Sequence, residues 1–361
     1  MLIRQLHVRA LRRFEATELV LAPGFNLITG DNGSGKTSLL EAVHLMAHGR
    51  SFRGRVRDGL IRSGDSALQV FLEWQDASGG VHRSGLQHSG SGWEARVDGR
   101  SIGHLGELCQ ALAVVTFEPG SHALVDGSAE VRRRYLDWGL FHVEHGFLQV
   151  WRRYSRALKQ RNGLLRQRRS NGELDAWEHE LALAGEMLDQ FRQQYVQRLQ
   201  PHFEGGGAAL LPAAGLAGLE LQSGWRRQEL ALADALLLAR ERDLAQGFTS
   251  VGPHRADLRI QLQDLPDRDG LSRGQAKLTA LALLLAQAQQ LAEQTGEWPI
   301  LQLDDLASEL DRRHQGNLLA WLQATPAQVL VTGTEAPPVL AQAGIRTRMF
   351  HVEHGAVAAV E

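Results

Sequence analysis

GDNGSGKT, Gly30 to Thr37, has the spacing G-x-x-x-x-G-K-[ST]. Glycines at these positions let backbone N–H groups turn inward around phosphate oxygens, and a helix N-terminus behind them adds positive potential. Lys36 is then placed to reach terminal phosphates and Thr37 to ligate Mg²⁺. Gly30, Asp31, Asn32, Gly33, Ser34, Gly35, Lys36, Thr37 and Ser38 form the candidate cradle. ILQLDD, Ile300 to Asp305, complements it: an apolar run ends in two carboxylates. Asp304 would hold the metal, and Asp305 would orient or deprotonate an attacking water. The spacing predicts a nucleoside triphosphate site assembled from residues more than 250 positions apart.

LSRGQAK, Leu271 to Lys277, is a second small, glycine-bearing stretch, and it opens a long apolar helix. It too has backbone amides for an anion, with Ser272 as hydroxyl donor. One triphosphate needs one cradle, so this loop is expected to serve a second copy of the chain. Two copies would then face each other head to tail, each loop capping the phosphates held by its partner. Ser272 is also a good helix cap, and the two roles are compatible.

These residues need elements to position them. LIRQLHVRAL alternates with period two, as a strand does. Phe25 to Thr29 is an apolar strand after the Pro23-Gly24 turn. Lys36 to His48 has apolar residues at helical spacing and predicts an amphipathic helix. Short strands with glycine turns follow to the run ALAVVTF. From Val131 to Leu199 the pattern is helical, with Leu148, Trp151, Tyr154, Leu158, Asn162 and Leu165 on one face. A helix near 230–246, a strand at 256–263, the long helix, the WPILQLDD strand, a further helix and the QVLVTGT strand complete the chain. Strand–helix alternation at both ends with helices between predicts an α/β lobe over 1–118 and 278–361. A mostly helical lobe over 119–277 is inserted in it, and no heptad run is long enough for an extended coiled coil.

Composition is that of a globular protein: 361 residues, net charge −2, 43% hydrophobic and 22% charged. With Cys109 alone, an intramolecular disulfide and a cysteine-held zinc are excluded. The first residues carry arginines and no apolar core like that of a signal peptide, and no apolar run suggests a membrane span, so a cytoplasmic location is expected. FHVEHG occurs twice, at 141–146 and 350–355, without the spacing of a metal-binding HExxH. Nucleic-acid binding must come from local charge. Arg132 to Arg169 contains eleven lysines and arginines against Asp137 and Glu144. Arg152, Arg156 and Lys159 form a stripe suited to phosphates, and a second cluster comprises Arg50, Arg53, Arg55, Arg57 and Arg62. Arg132, Arg133, Arg152, Arg156, Lys159, Arg53 and Arg55 are the candidate DNA contacts, expected to be with the backbone rather than with bases.

Taken together, GDNGSGKTSLLEA, HGRSFR, RRRYLDW, KQRN, GPHRADL, LSRGQ and DDLASELD resemble, in order and over nearly the whole chain, the ABC-type ATPase heads of DNA repair and chromosome proteins. The nearer resemblance is to the RecF family of bacterial recombination mediators. The resemblance implies an ABC-type fold and an ATP-dependent homodimer with slow, DNA-stimulated hydrolysis. It also implies binding at gapped or single-strand/double-strand junction DNA and cooperation with RecO, RecR and RecA. By the same resemblance Ser272, Gly274 and Gln275 match the signature loop, Asp311 a dimer-seam residue and Arg12 an arginine near the nucleotide. Three departures stand out: Asp305 where transporter-type relatives have glutamate, no histidine after VLVTGT, and no clear glutamine for coupling the lobes. Thr332 or Thr334 is left for the second role and Glu118, in TFEPGSH, for the third. A transporter ATPase subunit and an SMC-like structural head are the competing readings.

Overall fold

The computed structural model describes residues 1–54, 59–167, 172–211, 216–263, 270–338, 340 and 344–360. They group into two units, Met1–Ser121 with Leu281–Glu361, and His122–Ala280. The dividing points therefore fall at 121/122 and 280/281, against 118/119 and 277/278 from the sequence pattern.

The first unit begins with strands β1 (Leu2–Leu11), β2 (Phe14–Val20) and β3 (Phe25–Thr29) and helix α1 (Lys36–His48). Strands β4 (Leu68–Gln75), β5 (Val81–His88), β6 (Trp93–Val97) and β7 (Arg100–Ser101), helix α2 (Leu105–Ala111) and strand β8 (Val114–Phe117) follow. The second unit carries helices α3 (Ala123–Asp126), α4 (Ala129–Val143), α5 (Phe147–Arg166) and α6 (Gly172–Leu210), strand β9 (Leu216–Gln222), helix α7 (Leu232–Gln246) and strand β10 (Asp257–Leu262). Helix α8 (Arg273–Thr295) leads back to the first unit. There β11 (Ile300–Leu303), α9 (Leu306–Glu309), α10 (Arg312–Gln323), β12 (Val329–Gly333), β13 (Thr347–Glu353) and β14 (Ala356–Val360) complete the chain.

Among the described residues the first unit has two six-stranded sheets. One is antiparallel, in the order β2-β1-β4-β5-β6-β7; the other runs β14-β13-β3-β12-β11-β8. In the second, β13, β3, β12, β11 and β8 are parallel and only β14 is reversed. The central strands are mostly apolar because both faces are covered: every residue of β3, β11 and β12 is buried, the polar Asn26, Gln302 and Thr332 included. Helix α1 lies in one core with both sheets. Leu39, Val43 and Met46 share it with Val8, Val70 and Leu72 of the antiparallel sheet and Ile28, Ile300 and Leu330 of the parallel one. The helix is therefore buried on nearly all sides rather than amphipathic, and its polar residues Glu41 and His44 are buried too.

Those buried polar groups are paired. His44 Nδ1 lies 3.0 Å from Thr116 Oγ1, whose hydrogen goes to Gln302 Oε1 at 2.9 Å, so the imidazole is the donor. Gln302 Nε2 in turn donates to the Leu40 carbonyl. His48 stacks on His44 at 3.9 Å and donates from Nε2 to the Val114 carbonyl. This chain ties α1 to β8 and β11, the strand that ends at Asp304.

In the second unit α5 and α6, 20 and 39 residues long, pack against each other and against α7. The buried side of α5 is Phe147, Val150, Tyr154, Ala157, Arg161 and Leu165. This is one position away from the expected face over most of its length, and Trp151 is 40% exposed. On that side Arg161 is fully buried, a position at which hydrophobicity does not lead one to expect a core residue.

Burial lowers the pKa of both His44 and His48, the latter to about 4. Both are neutral in the folded protein, while an unfolded histidine titrates near 6.5. Their contribution is thus intact above about pH 6.5 and is lost as pH falls toward 4, by at most about 1.4 kcal/mol per pH unit for each histidine. Urea unfolding between pH 7.5 and 5 should lose stability more steeply in the wild type than in a His44→Gln, His48→Gln variant. Equal slopes would remove these histidines from the acid response.

Candidate functional site: a phosphate-binding cleft

The glycine loop leaves the C-terminal end of β3 and enters α1, with its backbone fixed by contacts that exclude a side chain. Gly30 has φ +145°, and a Cβ there would sit 2.2 Å from the Val352 carbonyl oxygen; at Gly35, φ +124°, it would sit 2.9 Å from the Phe14 ring. Within the loop, Ser34 N–H donates to Asp31 O and Ser38 N–H to Gly35 O. The Ser34 hydroxyl is buried with no hydrogen-bond partner, the kind of orphan that a phosphate oxygen satisfies. Lys36 is buried and folds back on the loop, donating to the carbonyls of Gly30 at 2.7 Å and Asp31 at 2.8 Å. Burial lowers its pKa, and Asp305, Asp304 and Asp31 oppose that shift.

Strands β3, β12 and β11 lie side by side, so the residues after each one meet at a common edge of the sheet. Asp304 is buried, and its Oδ1 accepts from Thr37 Oγ1 at 2.9 Å and from Thr332 Oγ1 at 2.7 Å. Burial raises the pKa of Asp304, opposed by those two hydroxyls. Asp305 follows in a left-handed conformation, φ +52°, at the start of α9. A hydroxyl and a carboxylate this close, in a buried setting, are the oxygen donors that Mg²⁺ takes, so Thr37 and Asp304 fit that ion.

The cleft holds about 450 Å³ and is lined by Asn32, Gly33, Gly35, Lys36, Thr37 and Ser38 from the loop side and by Asp304, Asp305 and Thr332 opposite. A wider groove of about 950 Å³ lies on the antiparallel sheet around Phe71 and Gly85, with neither glycine loop nor paired carboxylates. Chemistry, not volume, selects the smaller cleft. Arg12 also lines it. Its Nε and Nη2 clasp Glu41, which is fully buried and also receives the Ser51 hydroxyl. Arg13 and Arg53 complete the rim. The charge of Arg53 opposes the rise in Asp304's pKa. Arg53 therefore lies beside the phosphate cleft and is exposed there, which leaves its expected contact with DNA a proposal. Arg55, with Arg57, lies outside the described residues. The sequence reading passed over Arg13 and Glu41, although a glutamate inside SLLEAVHLMA was a signal for a buried pair.

The remaining candidates occupy other places. Ser272 and Gln275 form a reciprocal cap at the start of α8: Ser272 N–H donates to Gln275 Oε1 and Gln275 N–H to Ser272 Oγ. Ser272 and Gly274 are exposed. Asp311 caps α10, accepting from His314 N–H and contacting His314 Nδ1. Glu118 turns onto its own loop, where Oε2 accepts from Gly120 N–H, and Pro119 rather than Glu118 lines the cleft. Thr332 is fully buried, whereas Thr334 is exposed.

The basic stretch divides in two. Arg152, Arg156 and Lys159 are exposed on α5, with Arg156 over the Trp177 ring at 5.9 Å. Arg132 is 1% exposed. It makes two contacts to Asp257, at 2.6 and 3.1 Å, and donates to the carbonyls of Leu124, Val125 and Gly127. Buried among these contacts inside the unit, Arg132 is not presented to a phosphate, and its assignment to DNA is corrected. Arg133 is half-buried and donates to the Ala256 carbonyl. Two further arginines, Arg161 of KQRN and Arg192 of α6, do likewise. Arg161 binds Glu178, Asp243 and Thr249; Arg192 binds Asp137 and the Pro253 carbonyl. His254 accepts from Tyr154 OH and donates to the Thr249 carbonyl, and burial lowers its pKa to about 4. The arginines of α4, α5 and α6 thus hold the 249–257 segment.

A parallel sheet with a glycine phosphate loop, paired carboxylates on the neighbouring strand and an inserted helical unit defines an ABC-type ATPase head. The chain belongs to the RecF family: the model described as the RecF/RecN/SMC N terminal domain matches residues 2–358. It is 61% identical to the DNA replication and repair protein RecF of Stenotrophomonas maltophilia, aligned over 100% of both chains. It is 59% identical to that of Xanthomonas euvesicatoria, over 97% of this chain and 96% of the other. Among solved structures it is similar to the recombination mediator protein RecF-ATP in the RecFOR pathway: TM-score 0.88, 26% identity, 100% of this chain and 98% of that one. An Smc head domain with an extended coiled coil from Pyrococcus furiosus, at 15% identity, TM-score 0.62 and coverage of 99% and 96%, shares the fold.

The two kinds of arginine should separate by stability. Arg132→Ala leaves the Asp257 carboxylate and three carbonyls without their donor and should cost about 3 kcal/mol. Arg152→Ala, at an exposed site, should move unfolding by less than about 0.5 kcal/mol. Equal thermal shifts in the two variants would refute the distinction.

Proposed function

We propose that this chain is an ATP-driven DNA-binding switch of recombinational repair. The observation that carries the reading is the 2.9 Å hydrogen bond between Thr37 and Asp304, 267 positions apart, beside the glycine loop. The pairing supports a triphosphate site rather than a plain turn. Relatives called DNA replication and repair proteins, and a similar structure titled RecF-ATP, support the biological setting.

In this reading Lys36 leaves the carbonyls of Gly30 and Asp31 for the β- and γ-phosphates of ATP, and the loop amides and the Ser34 hydroxyl take the remaining oxygens. Mg²⁺, held by Thr37 and Asp304, supplies charge neutralisation at the phosphates. Asp305 orients the attacking water and accepts its proton. Arg12, Arg13 and Arg53 lend positive potential at the rim. Ser272, Gly274 and Gln275 of one copy cap the γ-phosphate held by the other, with Asp311 at the seam, so ATP closes a head-to-tail dimer and slow hydrolysis reopens it. The N-terminal amides of a long helix suit that capping, and the exposure of Ser272 and Gly274 leaves them accessible. Arg152, Arg156 and Lys159 contact the backbone of gapped or single-strand/double-strand junction DNA, which stimulates hydrolysis. RecO, RecR and RecA are the expected partners. Relatives named DNA replication and repair proteins favour the DNA reading over a transporter subunit, and the expected location is the cytoplasm.

Light scattering on the wild type and Ser272→Arg, with no nucleotide, with ADP and with a slowly hydrolysed ATP analogue, tests the dimer. Mass should double for the wild type with the ATP analogue only, and not for the variant. A wild-type monomer throughout, with DNA present as well, would end the switch reading. For the DNA face, Arg152→Ala, Arg156→Ala, Lys159→Ala should reduce the slope of log affinity against log salt by about two to three. An unchanged slope places the contacts elsewhere.

A further inference from the structure

We infer that Thr332 is a positioning residue for hydrolysis, setting the Asp304 carboxylate and the Asp305 backbone through one hydroxyl; the inference rests on the ATPase reading above. It lies at the C-terminal end of β12, between the strand that launches the glycine loop and the strand that carries Asp304. A hydroxyl has one hydrogen to give and lone pairs to receive. Thr332 uses both functions. It donates to Asp304 Oδ1 at 2.7 Å and accepts the Asp305 backbone N–H at 2.8 Å.

Register explains why a side chain is needed. β11 and β12 pair in parallel as far as Leu303 with Val331. Beyond that point Asp305 turns to φ +52°, a left-handed conformation that aspartate enters more readily than most residues with a Cβ. Its N–H has left the ladder direction, and the Thr332 hydroxyl receives it. The same hydroxyl fixes Oδ1 of Asp304, the oxygen that also meets Thr37. Thr332 is fully buried, so it is held by packing as well as by its two partners. Its hydrogen is already given to Asp304. It is therefore a strut between the Asp304 carboxylate and the Asp305 backbone. Nothing in the glycine loop depends on Thr332 directly, since Lys36 is held by Gly30 and Asp31. Loss of the hydroxyl should accordingly affect turnover more than binding.

The test compares Thr332→Ser with Thr332→Ala, which differ from each other only by the hydroxyl, with Thr332→Val as the isosteric variant. ATP affinity and steady-state ATP hydrolysis are measured on the full chain with Mg²⁺. Expected is a kcat about ten-fold higher for Ser than for Ala, with nucleotide affinities within about three-fold of each other, and a Val variant that behaves as Ala does. Equal kcat for Ser and Ala overturns the proposal. So does a Ser variant that folds while Ala and Val do not, because the hydroxyl would then hold the fold and not the reacting geometry. So does an equal loss of affinity and turnover. If the wild type itself hydrolyses no ATP, with or without DNA, the ATPase reading fails first and the failure is separate from that of the strut.

Discussion

Three segments of the phosphate cleft meet at one oxygen. Oδ1 of Asp304 receives the hydroxyls of Thr37 and Thr332, and so joins the first turn of α1, the end of β11 and the end of β12 at a single point. Three segments far apart in the chain have no covalent reason to keep a common register. A buried carboxylate needs donors, and here the donors come from the other two segments. Its desolvation disfavours the charge, and the contacts that align the site oppose that effect without cancelling it.

The same logic runs deeper in the first unit. Glu41 is a carboxylate in the middle of a buried helix, held by Arg12 and Ser51, and that pairing brings Arg12 to the cleft rim. The chain from His44 through Thr116 and Gln302 to the Leu40 carbonyl fixes α1 against the strand that ends in the paired aspartates. Apolar packing supplies most of the driving force for this core, but it is non-directional. The polar contacts decide which residue faces which.

Much of this was legible in sequence. GDNGSGKT between an apolar strand and a helix, and two aspartates ending an apolar run, have few other readings. What the sequence did not carry was the sign of burial for charged residues. Arg132 and Arg152 are the same residue type in one basic stretch, and nothing local distinguishes the arginine clasping Asp257 from the one facing solvent. The partner lies 125 positions away. FHVEHG makes the point within a single chain. At 141–146 it ends a helix; at 350–355 it is a strand running into a turn with His354 and Gly355 at positive φ. Six identical residues take two forms because the sheet beside β3 and the bundle around α4 impose different pairings, and local propensity yields to them.

The arginine set of the second unit has a consequence for how such a chain can change over time. Arg161, Glu178, Asp243 and Arg240 are joined by ion pairs across α5, α6 and α7. Exchange of one member strands its partners as buried charges, whereas exchange of the whole set for apolar residues of similar volume is close to neutral. The set is therefore guarded by the instability of the intermediates and not by the superiority of the end state. Drift through this part of the chain has to take several steps together, or pass first through a shortened member such as Arg240, whose partial exposure lets water stand in for a lost pair.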